Sequence, residues 1–120
     1  MRFLLISTTL GALALSSMAQ AWKLDIFEHE HFEGDKNSYS GPGRKGWACH
    51  SVGDLNGETG RISSLKYWND AVGSRCCLEL YDSPGCGGKK FSGWGGCHDY
   101  NYPDLGEIRD DISSFATNCK

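Results

Sequence analysis

The sequence has few of the features that mark an enzyme, a nucleic-acid-binding protein or a membrane protein. It has no G-x-S-x-G or H-E-x-x-H motif, and no two cysteines stand at C-x-x-C spacing. Lys and Arg number 12 against 15 Asp and Glu. Because binding to nucleic-acid phosphates selects a basic surface, we expect no nucleic-acid partner. Without a recognisable nucleophile or metal motif, we predict that the chain is not an enzyme.

Long apolar runs are also scarce, and the one that occurs lies at residues 3–15. Arg2 precedes it, and Ala19-Gln20-Ala21 follows it with the small-x-small pattern of a signal-peptidase site. The run is shorter than the roughly 20 residues that a transmembrane helix needs. We therefore predict a signal peptide at residues 1–21, a secreted, extracellular product that begins at Trp22, and no transmembrane segment.

Cysteine, by contrast, is abundant after residue 21. An even number of cysteines in a small exported domain predicts disulfides, here three with 15 ways of pairing. Neighbouring residues of a strand point to opposite faces, so Cys76 and Cys77 should have different partners. The same geometry disfavours a zinc site at Cys49-His50 and Cys97-His98. The six cysteines are Cys49, Cys76, Cys77, Cys86, Cys97 and Cys119.

Sixteen glycines and short alternating segments predict many short strands. The segments occur twice in the same order, which indicates an internal duplication. The matched pairs are 24–27 with 78–81, 39–41 with 91–93, 49–50 with 97–98, 54–55 with 104–105, and 61–65 with 111–115. The predicted strands are 23–28, 36–40, 46–50 and 61–67, then 76–81, 89–92, 94–98 and 111–116.

These strands predict one all-β domain at residues 22–120. Its first motif covers about 22–67 and its second about 76–119. One motif alone could not cover its apolar face, so the two should pack together as a β-sandwich.

The duplicated segments carry a spacing that resembles the Greek-key motif of the βγ-crystallins. An aromatic residue is followed five places later by a residue that closes a folded hairpin and seven places later by glycine. The three are Phe27, Phe32 and Gly34 in the first copy, and Tyr81, Cys86 and Gly88 in the second. The glycine suits a sharp hairpin because it accepts a positive φ. Each copy also carries a Ser-Ser pair, Ser63-Ser64 and Ser113-Ser114, and the resemblance implies that a serine of each pair ties down the hairpin.

Cys86 stands where the resembled family usually has an aromatic residue. This departure implies that a disulfide replaces ring packing there, most simply a link from Cys86 to Cys97. Four cysteines would then remain, and the sequence leaves two arrangements of them open.

The resemblance also implies a calcium site. Many family members bind calcium through an [Asn/Asp]-[Asn/Asp]-x-x-[Ser/Thr]-Ser segment and an acidic residue of the other motif, a set of hard oxygen ligands. The first copy places Arg61 in that segment and lacks the acidic positions. The second copy has Arg109 at the leading position. It predicts a weak calcium site made of Glu28, Asp110, Asp111 and Ser113.

Secreted microbial proteins similar to this resembled fold include antimicrobial and killer-toxin-like proteins, a protease inhibitor and calcium-stabilised structural proteins. We therefore expect a monomeric extracellular binding module of antimicrobial, killer-toxin-like or effector type, with a cell-surface, membrane or protein target. The alternatives are a calcium-binding structural or stress protein and a protease inhibitor that uses the loop at 41–47.

Two tryptophan-related features remain. Burial is the commoner fate of tryptophan, so we expect the four indole rings in the core, with exposure at loops as the alternative. The Gly93-Trp94-Gly95-Gly96 run lacks the lysine and helix of a phosphate-binding loop.

Overall fold

The computed structural model describes residues 20–52, 61–70 and 75–120. Of the predicted signal peptide, only Gln20 and Ala21 fall within this part, and the matched pair member 54–55 falls outside it. In the described part of the chain, no helix is long and apolar enough to cross a membrane.

The described residues form seven strands joined by turns and three single-turn 3-10 helices. Alternation of buried and exposed side chains along the strands gives each sheet one face for the core and one for solvent. In chain order the strands are β1 Trp22–His29, β2 Glu33–Gly41, β3 Gly46–Ser51, β4 Ser64–Asn69, β5 Cys76–Tyr81, β6 Tyr100–Tyr102 and β7 Ser114–Cys119; the 3-10 turns are Glu30–Phe32, Pro84–Cys86 and Gly106–Ile108.

The strands form two antiparallel sheets. The first has the order β2-β1-β4-β6 and the second the order β3-β7-β5. Strand β3 of the first half thus lies in the second sheet, and β6 of the second half lies in the first. This exchange of one strand from each half is a pair of interlocked Greek keys. The prediction of an all-β sandwich of two Greek keys is confirmed.

The core lies between the two sheets. Leu24 and Ile26 from β1 and Leu65 from β4 face Leu78 and Leu80 from β5, and all five are at most 2% exposed. Burial of such a side chain contributes roughly 1.5–3 kcal/mol each. Neither sheet could bury these residues alone, which explains why the two halves form one domain.

The register of the strands corrects one part of the sequence alignment. Leu65 of β4 pairs with Tyr102 of β6, and Phe115 of β7 pairs with His50 of β3. Tyr102 is therefore the structural equivalent of His50. The match of Cys49-His50 with Cys97-His98 is wrong by four residues. The two Cys-His pairs look alike in sequence, but only strand pairing defines which residues are equivalent.

Three of the strands predicted in the second half also differ from the structure. Residues 94–98 form bends around an isolated bridge between Gly96 and Leu78, and the third strand is β6, farther along the chain. Residues 89–92 contribute only an isolated bridge between Tyr81 and Lys90. The last strand begins at Ser114, three residues after the predicted start.

Three disulfides join the six cysteines, Cys49–Cys86, Cys76–Cys119 and Cys77–Cys97. The expected Cys86–Cys97 link is therefore wrong. Because β3 crosses into the second sheet, it brings Cys49 to the folded hairpin that contains Cys86. Cys97 instead lies beside β5 and bonds to Cys77. Cys76 faces the core and Cys77 the outer surface, so they have different partners.

Candidate binding face and cation site

The two folded hairpins have the same backbone geometry at equivalent positions. The residues with positive φ are His31, Phe32 and Gly34 in the first hairpin and Gly85, Cys86 and Gly88 in the second. At Gly34 a Cβ atom would lie 2.6 Å from the His29 ring, and at Gly88 it would lie 2.3 Å from Ser83 Oγ. Both glycines are thus required by backbone conformation and by space.

One serine holds each hairpin closed. Ser64 Oγ donates to the carbonyl of His29 at 2.6 Å and accepts from the amide of Phe32 at 3.0 Å. Ser114 Oγ donates to the carbonyl of Ser83 at 2.6 Å and accepts from the amide of Cys86 at 2.8 Å. Each hydroxyl satisfies two backbone groups at once.

The hairpins differ in what fills the fold. In the first, the rings of Phe27 and Phe32 pack edge to face at 5.6 Å. In the second, the disulfide Cys49–Cys86 takes the equivalent place. A covalent bond between the motifs thus stands where the first copy uses ring packing.

The four residues of the predicted calcium site lie at several places around the first hairpin and the 3-10 turn Gly106–Ile108. Glu28 Oε1 lies 3.3 Å from His29 Nε2. Asp110 and Asp111 are exposed, and their amides donate to the carbonyls of Ile62 and Ile108. The Ser113 amide donates to the carbonyl of Tyr81.

Arg109 of the second motif forms an ion pair with Glu30 of the first hairpin. Its Nη1 lies 2.6 Å from Glu30 Oε1 of the first hairpin. Across residues 20–52, 61–70 and 75–120, no cluster of three or more His, Cys, Asp or Glu side chains is placed to hold a metal ion. The Arg109 guanidinium thus neutralises Glu30, two residues from the predicted ligand Glu28, and the calcium site of Glu28, Asp110, Asp111 and Ser113 stays a prediction.

The segment from Lys89 to Cys97 lies along the free edge of β5. The Phe91 amide donates to the Leu80 carbonyl at 2.9 Å, and Leu78 and Gly96 exchange two backbone hydrogen bonds. The Cys77–Cys97 disulfide fixes the end of the segment. Between these attachments the chain leaves the sheet edge in a short excursion at residues 92–95.

Trp94 is displayed on this excursion. Its ring packs edge to face on Tyr102 at 5.0 Å, and the next amide, of Gly95, donates to the Tyr102 hydroxyl at 3.0 Å. A Cβ at Gly95 would lie 2.5 Å from the Leu78 carbonyl oxygen, so the glycine lets the loop lie flat on β5. The indole is therefore half-buried and held in place.

Two grooves flank Trp94. One, of about 380 Å³, continues from Trp94 and Lys90 to Glu79, Asn118 and Lys120. The other, of about 360 Å³, is lined on its far side by Glu107 and Asp111. Both volumes lie within the range of small-ligand sites.

The first groove opens onto the outer face of the second sheet, where Trp47 lies. Trp47 is 52% exposed, and its Nε1 donates to Glu79 Oε1 at 2.9 Å. The Tyr81 hydroxyl donates to the same oxygen at 2.7 Å. We call Trp47, Glu79, Asn118 and the two grooves beside Trp94 the tryptophan face.

The expectation that the tryptophans are buried holds for Trp22 and is wrong for Trp47 and Trp68. Trp22 is 3% exposed, whereas Trp47 and Trp68 are 52% and 47% exposed and lie on opposite sheets. The signal that could have located Trp47 is its spacing of two from Cys49. That spacing puts both on the outer face of β3.

An aromatic cluster at the core edge was not anticipated from the sequence. The His50 ring stacks on Phe115 at 4.8 Å and tilts against Trp22 at 5.1 Å. His50 Nε2 lies 3.1 Å from Thr117 Oγ1. Burial lowers the pKa of His50 below its ordinary value, because the charged imidazolium loses hydration there.

Comparisons with known proteins place the fold. A βγ-crystallin domain from Clostridium beijerinckii superposes with a TM-score of 0.50 at 20% identity, over 79% of this chain and 95% of that one. A mutant of that domain gives 0.51 at 18% identity, over 80% and 97%. A double mutant of clostrillin in complex with nickel gives 0.52 at 15% identity, over 80% and 97%.

No protein-family model matches the sequence, and no curated protein does either. The structural likenesses show the fold alone: the domain is βγ-crystallin-like, as the sequence resemblance predicted. What the chain does must therefore be argued from its own residues.

Proposed function

We propose that this chain is a secreted, non-catalytic binding module of antimicrobial, killer-toxin-like or effector type. The observation that carries the proposal is the tryptophan face, an exposed indole and a groove on a sheet that three disulfides hold. Cys49–Cys86 and Cys77–Cys97 fix the two segments that border this face. A rigid face loses little conformational entropy when it binds a target.

The disulfides also support an extracellular role for the module. Each link constrains the unfolded chain and adds about 2–4 kcal/mol of stability in an oxidising environment. The Cys76–Cys119 bond lies inside the core and joins β5 to β7. We therefore expect the chain to fold without a bound cation.

The experiment that tests this proposal applies purified, secreted protein to bacterial, fungal and plant cells, with and without calcium. Growth and dye leakage are measured at about micromolar protein, a range that specific binders reach. The proposal predicts inhibition or leakage in at least one cell type. No effect on any of them contradicts the toxin-like role.

A calcium-binding structural role is the alternative that the Arg109–Glu30 contact opposes. If calcium binds the native state only, it must raise Tm by mass action. With Arg109 in place, we expect no rise in Tm at millimolar calcium. A rise of several degrees would favour this alternative.

A protease-inhibitor role has one observation in its favour, the exposed loop between β2 and β3. Arg44 and Lys45 of this loop are exposed, and the chain leaves it directly into β3, which Cys49 bonds to the second motif. An exposed basic residue on a rigid loop suits proteases that cleave after Arg or Lys. Inhibition of trypsin that is lost in Arg44→Ala and Lys45→Ala would support this role.

A further inference from the structure

We propose that the tryptophan face binds a neutral oligosaccharide, with Trp94 and Trp47 as stacking platforms. This inference rests on the proposed function as an extracellular binding module and names the chemical class of its ligand. The observations that point to it are the fixed indole rings, the balance of charge over the two grooves beside Trp94 and the polar side chains that line the path from one ring to the other.

The two tryptophans lie on different segments of the chain. Trp47 lies on β3, and Trp94 lies on the segment that borders β5, with β7 between these two strands. Strand β3 and the edge segment are thus three strand spacings apart, which is roughly 14 Å. The face is therefore longer than one sugar ring, and it offers an apolar platform at each end.

Both indole rings are held in place by neighbouring groups. Trp94 is held by Tyr102, by the Gly96 hydrogen bonds and by the nearby Cys77–Cys97 disulfide. Trp47 is oriented by the hydrogen bond from its Nε1 to Glu79. A ring that is already oriented stacks on the C–H face of a sugar without a further loss of freedom.

Charged side chains of both signs line the grooves. The side chains that line the two grooves beside Trp94 include three lysines and three carboxylates, which are Lys89, Lys90, Lys120, Glu79, Glu107 and Asp111. Their formal charges cancel. A site for a phosphate or an acidic polymer would have an excess of basic groups, and a site for a cation would have an excess of acids. The balance suits a neutral ligand.

The first groove is lined by polar groups that can hydrogen-bond to a ligand. Asn118 lies on the central strand β7, directly opposite Trp47 in the register, and it lines the groove. Its side-chain amide, the Trp94 indole N–H and the Lys90 ammonium make no hydrogen bond or ion pair with another described residue. These groups offer donors and an acceptor to sugar hydroxyls.

The test titrates the secreted protein with neutral hexasaccharides of β-1,3-glucan, chitin, cellulose and mannan, and with hexagalacturonate as an anionic probe. Tryptophan fluorescence and calorimetry report binding. The proposal predicts saturable binding of at least one neutral probe with a Kd at or below about 1 mM. The affinity should stay within about twofold between low and high salt, since no net charge is neutralised.

Variants locate the site. Trp94→Ala should weaken binding at least about tenfold and Trp47→Ala at least about threefold, as expected for anchor residues. Trp68→Ala is the matched control, because Trp68 is exposed to a similar degree on the other sheet, and it should bind like wild type. If Trp94→Ala does not fold, Trp94→Phe and Asn118→Ala replace it, and each should weaken binding at least about threefold.

Three results would overturn the inference. The first is that no neutral probe binds saturably, and the second is that only the anionic probe binds. The third is that the Trp94 and Trp47 variants bind with the same affinity as wild type. The growth assay separates the two proposals. Inhibition that survives in both tryptophan variants leaves the toxin-like role standing without the saccharide site. Saccharide binding without inhibition of any cell supports the saccharide site and contradicts the toxin-like role.

Discussion

Replacement of Ser64 by alanine removes one hydroxyl that serves two backbone groups of the first hairpin. The side chain is 0% exposed, so water cannot take its place in the folded state. The carbonyl of His29 and the amide of Phe32 would lose their partners at 2.6 and 3.0 Å. An unsatisfied buried group costs about 1–3 kcal/mol, and these two lie in a partly buried hairpin, so we expect a total loss of about 2–4 kcal/mol.

Chemical denaturation and calorimetry measure this loss. For a domain of this size, the change corresponds to a fall in Tm of about 10–20 °C. Ser63→Ala is the matched control: Ser63 is also buried, and its contacts to Phe27 and Leu105 use only its backbone, so we expect a loss below about 1 kcal/mol. If Ser64→Ala and Ser63→Ala differ by less than about 0.5 kcal/mol, the anchoring role of Ser64 is refuted.

Ser114→Ala tests whether the second copy responds differently. The same two hydrogen bonds are lost, but Cys49–Cys86 still holds the hairpin on the sheet. Hydrogen exchange should therefore show fast exchange across the first hairpin in Ser64→Ala and slower exchange across the second in Ser114→Ala. Equal exchange in the two hairpins would contradict a role for the disulfide in the second.

Three further predictions concern the core edge and the cation site. Burial lowers the pKa of His50 below 6.5, so the native state binds a proton less readily than the unfolded state. The free energy of unfolding should therefore fall as pH drops below about 6.5 and stay level above it. Calorimetry across pH 5–8 should show a smaller fall in His50→Gln. Tyr67→Phe should cost about 1–3 kcal/mol by denaturation, since it strands the Cys76 carbonyl, which accepts from the Tyr67 hydroxyl at 2.6 Å. Arg109→Asp restores an acid at the leading position of the cation segment and frees Glu30, so calcium should raise Tm in this variant and not in wild type.

The sequence was informative where local pattern decides structure. Strand β5 was predicted at its observed bounds, because Leu78 and Leu80 alternate with Cys77 and Glu79 and so decide which face is buried. The hairpin glycines were predicted as well, since few other residues tolerate their positive φ. At these positions, side-chain alternation and the allowed φ angles of the backbone determine the local structure.

The sequence was misleading where the answer depends on pairing between distant segments. The exchange of β3 and β6 between sheets decides that Cys49 reaches Cys86, and neither spacing nor alternation contains that information. The three-residue strand β6 is too short to show a period, so the Cys97-His98 pair was mistaken for it. The tryptophan face was missed for the same reason, because it joins residues of β3, β5, β7 and the edge segment.

Disulfide mapping tests the account most directly, because the observed pairing depends on the strand exchange and also fixes the segment that displays Trp94. Partial reduction with stepwise alkylation is needed to separate the adjacent Cys76 and Cys77, followed by mass spectrometry of the linked peptides. The account predicts Cys49–Cys86, Cys76–Cys119 and Cys77–Cys97. A Cys86–Cys97 link would contradict it, since β3 would then have no covalent tie to the second hairpin and the Trp94 loop none to β5.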